Sequence, residues 1–245
     1  MNTASVGFHC PECLKGDKQQ VLSRSNNFGQ SLKTPIVTGL IIINALIFLV
    51  ESGGNNTLRR DFFVRAFEVD VNGEWYRIIT SGFLHSGLIH VGFNMYLLYA
   101  IGSQLEKRYG WMTFIGLYLA GLIGGSLGVF LVEPTSAAVG ASGAVFALMG
   151  FLVVIQWKNG INVMQSGVGR LVLFNIVFSF FPGISLGGHV GGLVTGVIAA
   201  FIVTDVLPNI TPKESKPVTA AAMFALAAAL AAATIPAAAR AAGMF

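Results

Sequence analysis

Two short motifs in this sequence combine glycines with one reactive side chain each. Gly140–Gly143 contains Ser142, Gly188 precedes His189, and each motif opens a long apolar stretch. A serine hydroxyl becomes an effective nucleophile when a neighbouring base removes its proton, and histidine is the most common such base. Because polar groups inside a membrane are costly, their presence there indicates function. The two motifs therefore predict a nucleophile and a general base within a membrane.

The composition predicts an integral membrane protein. Of 245 residues, 54% are hydrophobic and 11% are charged, whereas soluble domains carry about 25% charged residues. The mean hydropathy is +0.71. A helix needs about 20 apolar residues to cross a membrane, and alternating strands typical of a barrel are not visible. We therefore expect an all-α polytopic membrane protein whose seven spans are roughly 35–50, 83–105, 111–132, 139–157, 170–186, 188–206 and 218–238.

The basic residues predict how these spans are oriented. We divide the chain into a polar tail (1–34), a six-span core (35–206), and a linker with a seventh span (207–245). Cytoplasmic loops are enriched in Lys and Arg, so the net charge of +4 indicates topology in a cell membrane rather than nucleic-acid binding. A cytoplasmic N-terminus and an external C-terminus place ten basic residues inside and five outside. The inside set is Lys15, Lys18, Arg24, Lys33, Lys107, Arg108, Lys158, Arg170, Lys213 and Lys216; the outside set is Arg59, Arg60, Arg65, Arg77 and Arg240.

Both cysteines of the chain lie in the polar tail. Cys10 and Cys13 form a C-x-x-C pair, and His9 precedes them directly. These three residues could be ligands of a zinc ion, although a fourth ligand is not apparent. The alternative is a reduced cytoplasmic tail without metal. Elsewhere the sequence predicts no cofactor.

Four polar residues inside the predicted spans should lie at one depth. His90 and Asn94 are four residues apart in span 2 and share a helical face, while Ser142 opens span 4 and His189 opens span 6. Even-numbered spans all run from outside to inside, and all four residues lie near the starts of their spans. We therefore expect them to converge in the outer half of the membrane.

The length of span 4 places the site below the membrane surface. From Ser142 to Trp157 the helix extends about 24 Å at 1.5 Å per residue, which is shorter than a membrane core of about 30 Å. The segment 133–141 should therefore enter the membrane as non-helical backbone, which is tolerated where it lines a cavity. No acid is placed to orient His189, since Glu133 is in this segment and Asp205 is at the other end of span 6. The prediction is a Ser-His dyad.

Stabilisation of a developing oxyanion requires hydrogen-bond donors close to the nucleophile. The backbone N–H of Ser142 lies at a helix N-terminus and offers one donor. The side chains of His90 and Asn94 offer others from the neighbouring helix.

These motifs together resemble the rhomboid family of intramembrane serine proteases, over roughly residues 75–200. Trp75–His85 is similar to the end of the family's first loop, and His90 with Asn94 matches its H-x-x-x-N motif. Gly140–Gly143 matches the G-x-S-G nucleophile motif, and His189 with Gly192 and Gly196 matches H-x-x-G-x-x-x-G. The resemblance implies a six-helix bundle, here followed by a seventh C-terminal transmembrane helix.

The resemblance also implies activity and residue roles. It implies a serine-type endopeptidase that cuts transmembrane proteins in or near their membrane-spanning segments, in the lipid bilayer and without cofactor. His90 and Asn94 would stabilise the oxyanion, and Phe146 occupies the place of an aromatic residue that the family keeps against the base. It leaves the oligomeric state unknown.

Other functions and simpler roles remain open at this point. The chain could be an inactive rhomboid-like protein that binds membrane clients, a proton-coupled transporter, or a zinc protease using His85, His90 and His189. Ser142 could cap span 4, and His90 with Asn94 could join helices. We interpret His85 as structural on its helix, and we assign packing roles to three serines: Ser126, Ser179 and Ser185.

Overall fold

The protein is described by a computed structural model that covers residues 2–3, 8–9, 34–54, 56–181, 183–207 and 215–243. The chain divides into two units, Met1–Lys33 and Thr34–Phe245. In the first unit, β1 (Asn2–Thr3) pairs antiparallel with β2 (Phe8–His9). Cys10 and Cys13 of the predicted zinc motif lie outside the described residues.

The second unit is helical, in agreement with the all-α prediction. Its helices are, in chain order, α1 (Pro35–Ser52), α2 (Asn56–Phe62), α3 (Ala66–Asp70), α4 (Arg77–Thr80), α5 (Leu88–Leu97), α6 (Ser103–Tyr109), α7 (Trp111–Val132), α8 (Ser142–Lys158), α9 (Val168–Phe178), α10 (Leu186–Phe201) and α11 (Ser215–Ala242). A 3-10 turn, Ser81–Phe83, follows α4, and π-helical turns at Leu98–Gly102 and Ile202–Val206 follow α5 and α10.

Four helical segments of the described chain are long and apolar enough to cross a membrane. They are Pro35–Ser52, Trp111–Val132, Leu186–Val206 and Lys216–Ala242; α8 and α9 are shorter apolar helices. Two predicted span limits were wrong. Span 83–105 begins as a helix only at Leu88, and span 170–186 stops being helical at Phe178, because Pro182 disfavours helical backbone just before it.

Glycines bring α7, α8 and α10 into backbone contact. A Cβ on Gly192 would collide with the carbonyl oxygen of Gly143, and one on Gly196 would collide with that of Ala147. On α7, a Cβ on Gly121 would lie 2.8 Å from the Cα of Ala144. Small residues permit such close helix approach in membranes. These three helices form the centre of the bundle.

The segment before α8 is non-helical, as predicted, and is tied to the first loop. Val64 and Ala138 exchange two backbone hydrogen bonds with N···O distances of 3.0 and 2.9 Å. The N–H of Gly140 donates to the carbonyl oxygen of Ser81 at 2.9 Å. Two residues between α1 and α5, Val64 and Ser81, therefore hold the segment that leads into α8 in place.

Glu106 on α6 fixes the start of α1. Its two carboxylate oxygens accept hydrogen bonds from the N–H groups of Ile36 at 3.1 Å and Val37 at 2.9 Å. The first N–H groups of a helix have no partner within the helix, and Pro35 has no N–H to satisfy. Glu106 thus joins the second membrane segment to the first at this end.

Helix α11 lies along α7 and reaches α3 at its far end. A Cβ on Gly116 would lie 2.8 Å from the Cβ of Met223, and the hydroxyls of Thr113 and Thr219 are 3.0 Å apart. The end of α11 and the start of α3 share one apolar cluster that includes Val64, Ala66, Val69, Ala237, Ala238 and Ala241. At the start of α3, a hydrogen bond from Arg65 lowers the pKa of the Glu68 carboxyl.

Candidate active site

The four polar residues predicted to share one depth line a single cavity of about 890 Å³. His90 and Asn94 come from α5, Ser142 from the start of α8, and His189 from the start of α10. The remaining wall is mostly apolar and includes the aromatic side chains of Phe93, Phe174 and Phe178. The cavity thus combines a few convergent polar groups with apolar walls, as small-molecule and peptide sites commonly do.

Ser142 is the first residue of α8. Ala141 is the N-cap, so the alternative in which Ser142 caps the helix is wrong. As the first helical residue, Ser142 has a backbone N–H without an acceptor inside the helix. Gly140, two residues earlier, has φ +125°, a conformation that other residues rarely adopt. The turn therefore requires glycine before the serine.

His189 lies in the first turn of α10 and is 9% exposed. Its ring stacks on the ring of Phe146, with centroids 4.1 Å apart and an angle of 18° between the planes. Phe146 is one turn after Ser142 on α8, so the serine and the stacking ring lie on the same helical face. The imidazole is thereby held against the helix that carries the serine.

Glu133 anchors the start of α10. Its carboxylate accepts hydrogen bonds from the Ser185 hydroxyl at 2.6 Å, from the Leu186 N–H at 2.9 Å and from the Gly187 N–H at 3.3 Å. Ser185 also accepts from the N–H of Gly188 at 3.0 Å. The packing role assigned to Ser185 was therefore incomplete, since it caps this helix. Among the described hydrogen bonds, none joins a carboxylate to His189.

The direct partner of His189 is a serine that the sequence interpretation missed. Ser179 Oγ lies 2.5 Å from His189 Nδ1, so the packing role assigned to it was wrong. The contact joins the end of α9 to the start of α10 across a non-helical connection. No local spacing rule indicates such a contact, and the sequence therefore carried no signal for it.

No hydrogen bond joins Ser142 to His189 among those found in the described part of the chain. Catalytic hydrogen bonds are often long before substrate binds and shorten afterwards. The two residues are nevertheless held by helices in backbone contact, because Gly143 and Gly192 meet without intervening side chains.

The proton positions of His90 follow from its neighbours. His90 Nδ1 lies 3.4 Å from the N–H of Ser86 and 3.0 Å from its hydroxyl. A backbone N–H can only donate, so Nδ1 accepts and the proton of a neutral ring is on Nε2. That nitrogen faces the turn before Ser142, since a Cβ on Gly140 would lie 2.8 Å from it. His90 therefore presents an N–H towards the turn that precedes Ser142.

Asn94 uses part of its amide within its own helix. Its Nδ2 donates to the carbonyl oxygen of His90 at 2.9 Å. An amide carries two N–H groups, so one remains for another acceptor.

His85 was placed on a helix by the sequence interpretation, and this was wrong, because it precedes α5. It is fully buried, and its ring meets that of His90 edge to face at 5.0 Å. The Arg59 side chain donates to the carbonyl oxygen of His85 at 2.8 Å, and the backbone N–H of His85 donates to the Glu51 carboxylate at 3.3 Å. Within the described residues, no group of three His, Cys, Asp or Glu side chains is arranged to hold a metal ion.

The part of the chain that contains this cavity matches a known protein family. The family model for the rhomboid domain matches residues 72–206, which include all four cavity residues. The chain belongs to the rhomboid family. With its apolar helices, this rhomboid is a multi-pass membrane protein.

Three relatives of this rhomboid illustrate the likeness. Rhomboid protease GluP of Bacillus subtilis (strain 168) is 31% identical over 152 residues, which cover 59% of this chain and 30% of GluP. Putative rhomboid protease YdcA of the same strain is 32% identical over 165 residues, 64% of this chain and 82% of YdcA. RHOMBOID-like protein 9, chloroplastic, of Arabidopsis thaliana is 30% identical over 146 residues, 58% of this chain and 33% of the relative. The chain thus spans about one third of the length of GluP and of RHOMBOID-like protein 9, and most of the length of YdcA.

Proposed function

We propose that this rhomboid is an intramembrane serine endopeptidase acting through Ser142 and His189. The observation that carries the proposal is the single cavity that both residues line together with His90 and Asn94. Relatives named as rhomboid proteases support the reaction class. The rigid contact of α8 with α10 supports a site in which nucleophile and base are held at a constant separation.

The proposed chemistry begins with proton transfer from the Ser142 hydroxyl to Nε2 of His189. The serine oxygen then attacks the carbonyl carbon of a peptide bond and gives a tetrahedral intermediate. Its oxyanion would be stabilised by three donors: the Ser142 backbone N–H, the Nε2–H of His90 and the second N–H of Asn94. His189 returns the proton to the leaving amine, and water hydrolyses the acyl-enzyme by the same route.

The substrates proposed are membrane-spanning proteins. Polar groups at the base of an apolar cavity can act on a peptide bond only when its backbone is unwound, because helical peptide groups are bonded to each other. A segment with small or helix-breaking residues at the cut satisfies this requirement. The apolar walls formed by Phe93 and Phe174 suit the flanking side chains of such a segment.

We further propose the orientation predicted from the basic residues. The tail (1–34) would be cytoplasmic, the six-span core (35–206) would contain the site in its outer half, and 207–245 would supply the linker and seventh span. This rests on the positive-inside rule. It is supported by contacts of the first loop: Arg59 donates to the carbonyl oxygen of His85 at 2.8 Å, and Val64, next to Arg65, forms a bridge with Ala138 in the segment before α8.

The test is cleavage of a fluorogenic transmembrane peptide by purified protein in liposomes. We expect Ser142→Ala and His189→Ala each to reduce turnover by at least about 10³-fold, since the two residues act as a unit. Ser52→Ala serves as the control, because this exposed hydroxyl bonds within α1. Turnover by Ser142→Ala equal to that of wild type would contradict the proposal. Peptide binding by wild type without cleavage would instead support an inactive client-binding protein.

A further inference from the structure

The ring of His189 is contacted at Nδ1 by a buried hydroxyl from the residue that follows α9. Ser179 follows α9 directly and is 2% exposed. Its Oγ lies 2.5 Å from His189 Nδ1 and 2.7 Å from the carbonyl oxygen of Asn175. Both contacts are within hydrogen-bonding distance, so the hydroxyl bridges α9 and α10.

These two distances determine which atom donates in each contact. A carbonyl oxygen carries no proton, so the proton between Asn175 O and Ser179 Oγ must come from the hydroxyl. A serine hydroxyl has only one proton. Towards His189 the Ser179 oxygen is therefore the acceptor, and Nδ1 of the imidazole must supply the hydrogen.

A neutral imidazole carries one ring proton, so a proton on Nδ1 leaves Nε2 with a free electron pair. A general base needs this state to receive the Ser142 proton at Nε2. The opposite tautomer would point an N–H at the nucleophile and could accept nothing there. In Ser-His-Asp triads a carboxylate selects the tautomer by the same kind of bond.

We propose that Ser179 is a positioning residue that holds His189 in its Nδ1–H tautomer, a role resting on the proposed function of His189 as general base. Phe146 and Ser179 restrain different motions of the His189 ring. The stacked ring of Phe146 fixes the plane of the imidazole, and the bond to Ser179 fixes its rotation within that plane. When His189 becomes protonated during the reaction, its Nδ1–H bond to Ser179 persists.

The first measurement is the protonation pattern of the ring, which does not depend on catalysis. Protein containing ¹⁵N-labelled histidine is placed in liposomes, and the ring ¹⁵N chemical shifts are recorded where the rings are neutral. The chain has four histidines, and a His189→Gln variant assigns the signal. We expect Nδ1–H in wild type and in Ser179→Thr, which retains the hydroxyl, and a mixture with Nε2–H in Ser179→Ala. Wild-type His189 in the Nε2–H form would overturn the proposal, whether or not the Ser179 variants fold.

The second measurement is cleavage of the fluorogenic peptide. We expect Ser179→Ala to lower kcat by roughly tenfold or more, as for other partners that orient a histidine, with little change in KM. Ser179→Thr should restore most of the lost kcat, and Ser103→Ala should match wild type because its buried hydroxyl has no partner in the described chain and lies outside the cavity. Ser179→Ala with unchanged kcat and an unchanged ¹⁵N spectrum would overturn the role. Failure of the Ser142→Ala test would refute the protease function separately, because the tautomer is measured without turnover.

Discussion

Gly192 determines how closely α10 approaches α8. A Cβ at this position would overlap the carbonyl oxygen of Gly143 and lie 2.8 Å from its carbonyl carbon. Both partners are backbone atoms of a buried helix and cannot rotate away as a side chain could. Any larger residue therefore separates the helix that carries Ser142 from the one that carries His189.

We expect Gly192→Ala to impair both stability and cleavage. Overpacking in a close-packed interior costs about 1–3 kcal/mol, and the shift falls directly between the two proposed catalytic residues. Thermal unfolding in detergent and turnover of the fluorogenic peptide measure the two effects. Gly39→Ala is the matched control, since a Cβ there meets nothing within 4 Å. Turnover by Gly192→Ala equal to that of wild type would show that cleavage does not depend on the close spacing of α8 and α10.

At the level of single residues, the sequence predicted the groups that line the cavity but not all of their partners. Ser142, His189, His90 and Asn94 could be found because each is a polar residue in an apolar stretch. Ser179 shares that property with Ser126, and nothing in the sequence distinguishes the two. Their difference arises only when α9 brings Ser179 to His189 while Ser126 donates to the carbonyl oxygen of Ile78 at 3.3 Å.

The first turn of α10 depends on one carboxylate from the loop before α8. Glu133 receives hydrogen bonds from Ser185, Leu186 and Gly187, and a negative charge is favourable at a helix N-terminus. His189 follows in the same turn. Glu133 therefore positions the base through the helix end and not by contact with the ring.

Replacing Glu133 should loosen this end of α10. We expect Glu133→Ala to lower the free energy of unfolding by about 1–3 kcal/mol, since partly buried donors lose hydrogen bonds to a charged group. Glu133→Gln keeps an acceptor and should lose less. Asp205→Ala, which removes an exposed ion pair with Lys158 at the other end of the segment, should change stability little. An equal loss in Asp205→Ala and Glu133→Ala, measured by thermal unfolding, would refute the anchoring role.

At the level of helices, apolar length predicted where spans lie better than where they end. The limits near Leu88 and Phe178 were wrong because apolar residues continue past both helix ends, into extended or turn backbone. The start of α8 at Ser142 was predicted correctly, because the short apolar run after Ser142 indicated that the segment before it is not helical. Hydropathy measures the environment of a residue and not its backbone conformation.

The whole molecule has an orientation that cysteine labelling can test. In a Cys10→Ser, Cys13→Ser background, single cysteines replace exposed Asn72 or exposed Gln165. We expect a membrane-impermeant maleimide to label Asn72→Cys in intact cells and Gln165→Cys only after permeabilisation, because the ten-to-five distribution of basic residues places them on opposite sides. If Gln165→Cys but not Asn72→Cys were labelled in intact cells, the protein would have the opposite orientation to the one proposed.

The general architecture was predictable because composition alone excludes a soluble fold. The contacts between distant segments were not. The bridge between Val64 and Ala138, the bond from Gly140 to Ser81 and the cluster joining α3 to α11 depend on how loops return to the bundle. Such contacts involve backbone atoms or common apolar residues, which carry no distinctive sequence signal.

The π-helical turn at Leu98–Gly102 accommodates one residue more than a regular helix would over the same rise. A π-helical residue rotates the chain by less than the about 100° of an α-helical residue, so the extra residue is absorbed within this one turn. The faces that carry His90 and Glu106 therefore keep the relative orientation that a regular helix with one residue fewer would give them. Deleting one residue within the turn should leave the Glu106 carboxylate at the start of α1. Related chains should therefore differ in length by one residue here more readily than elsewhere in this segment.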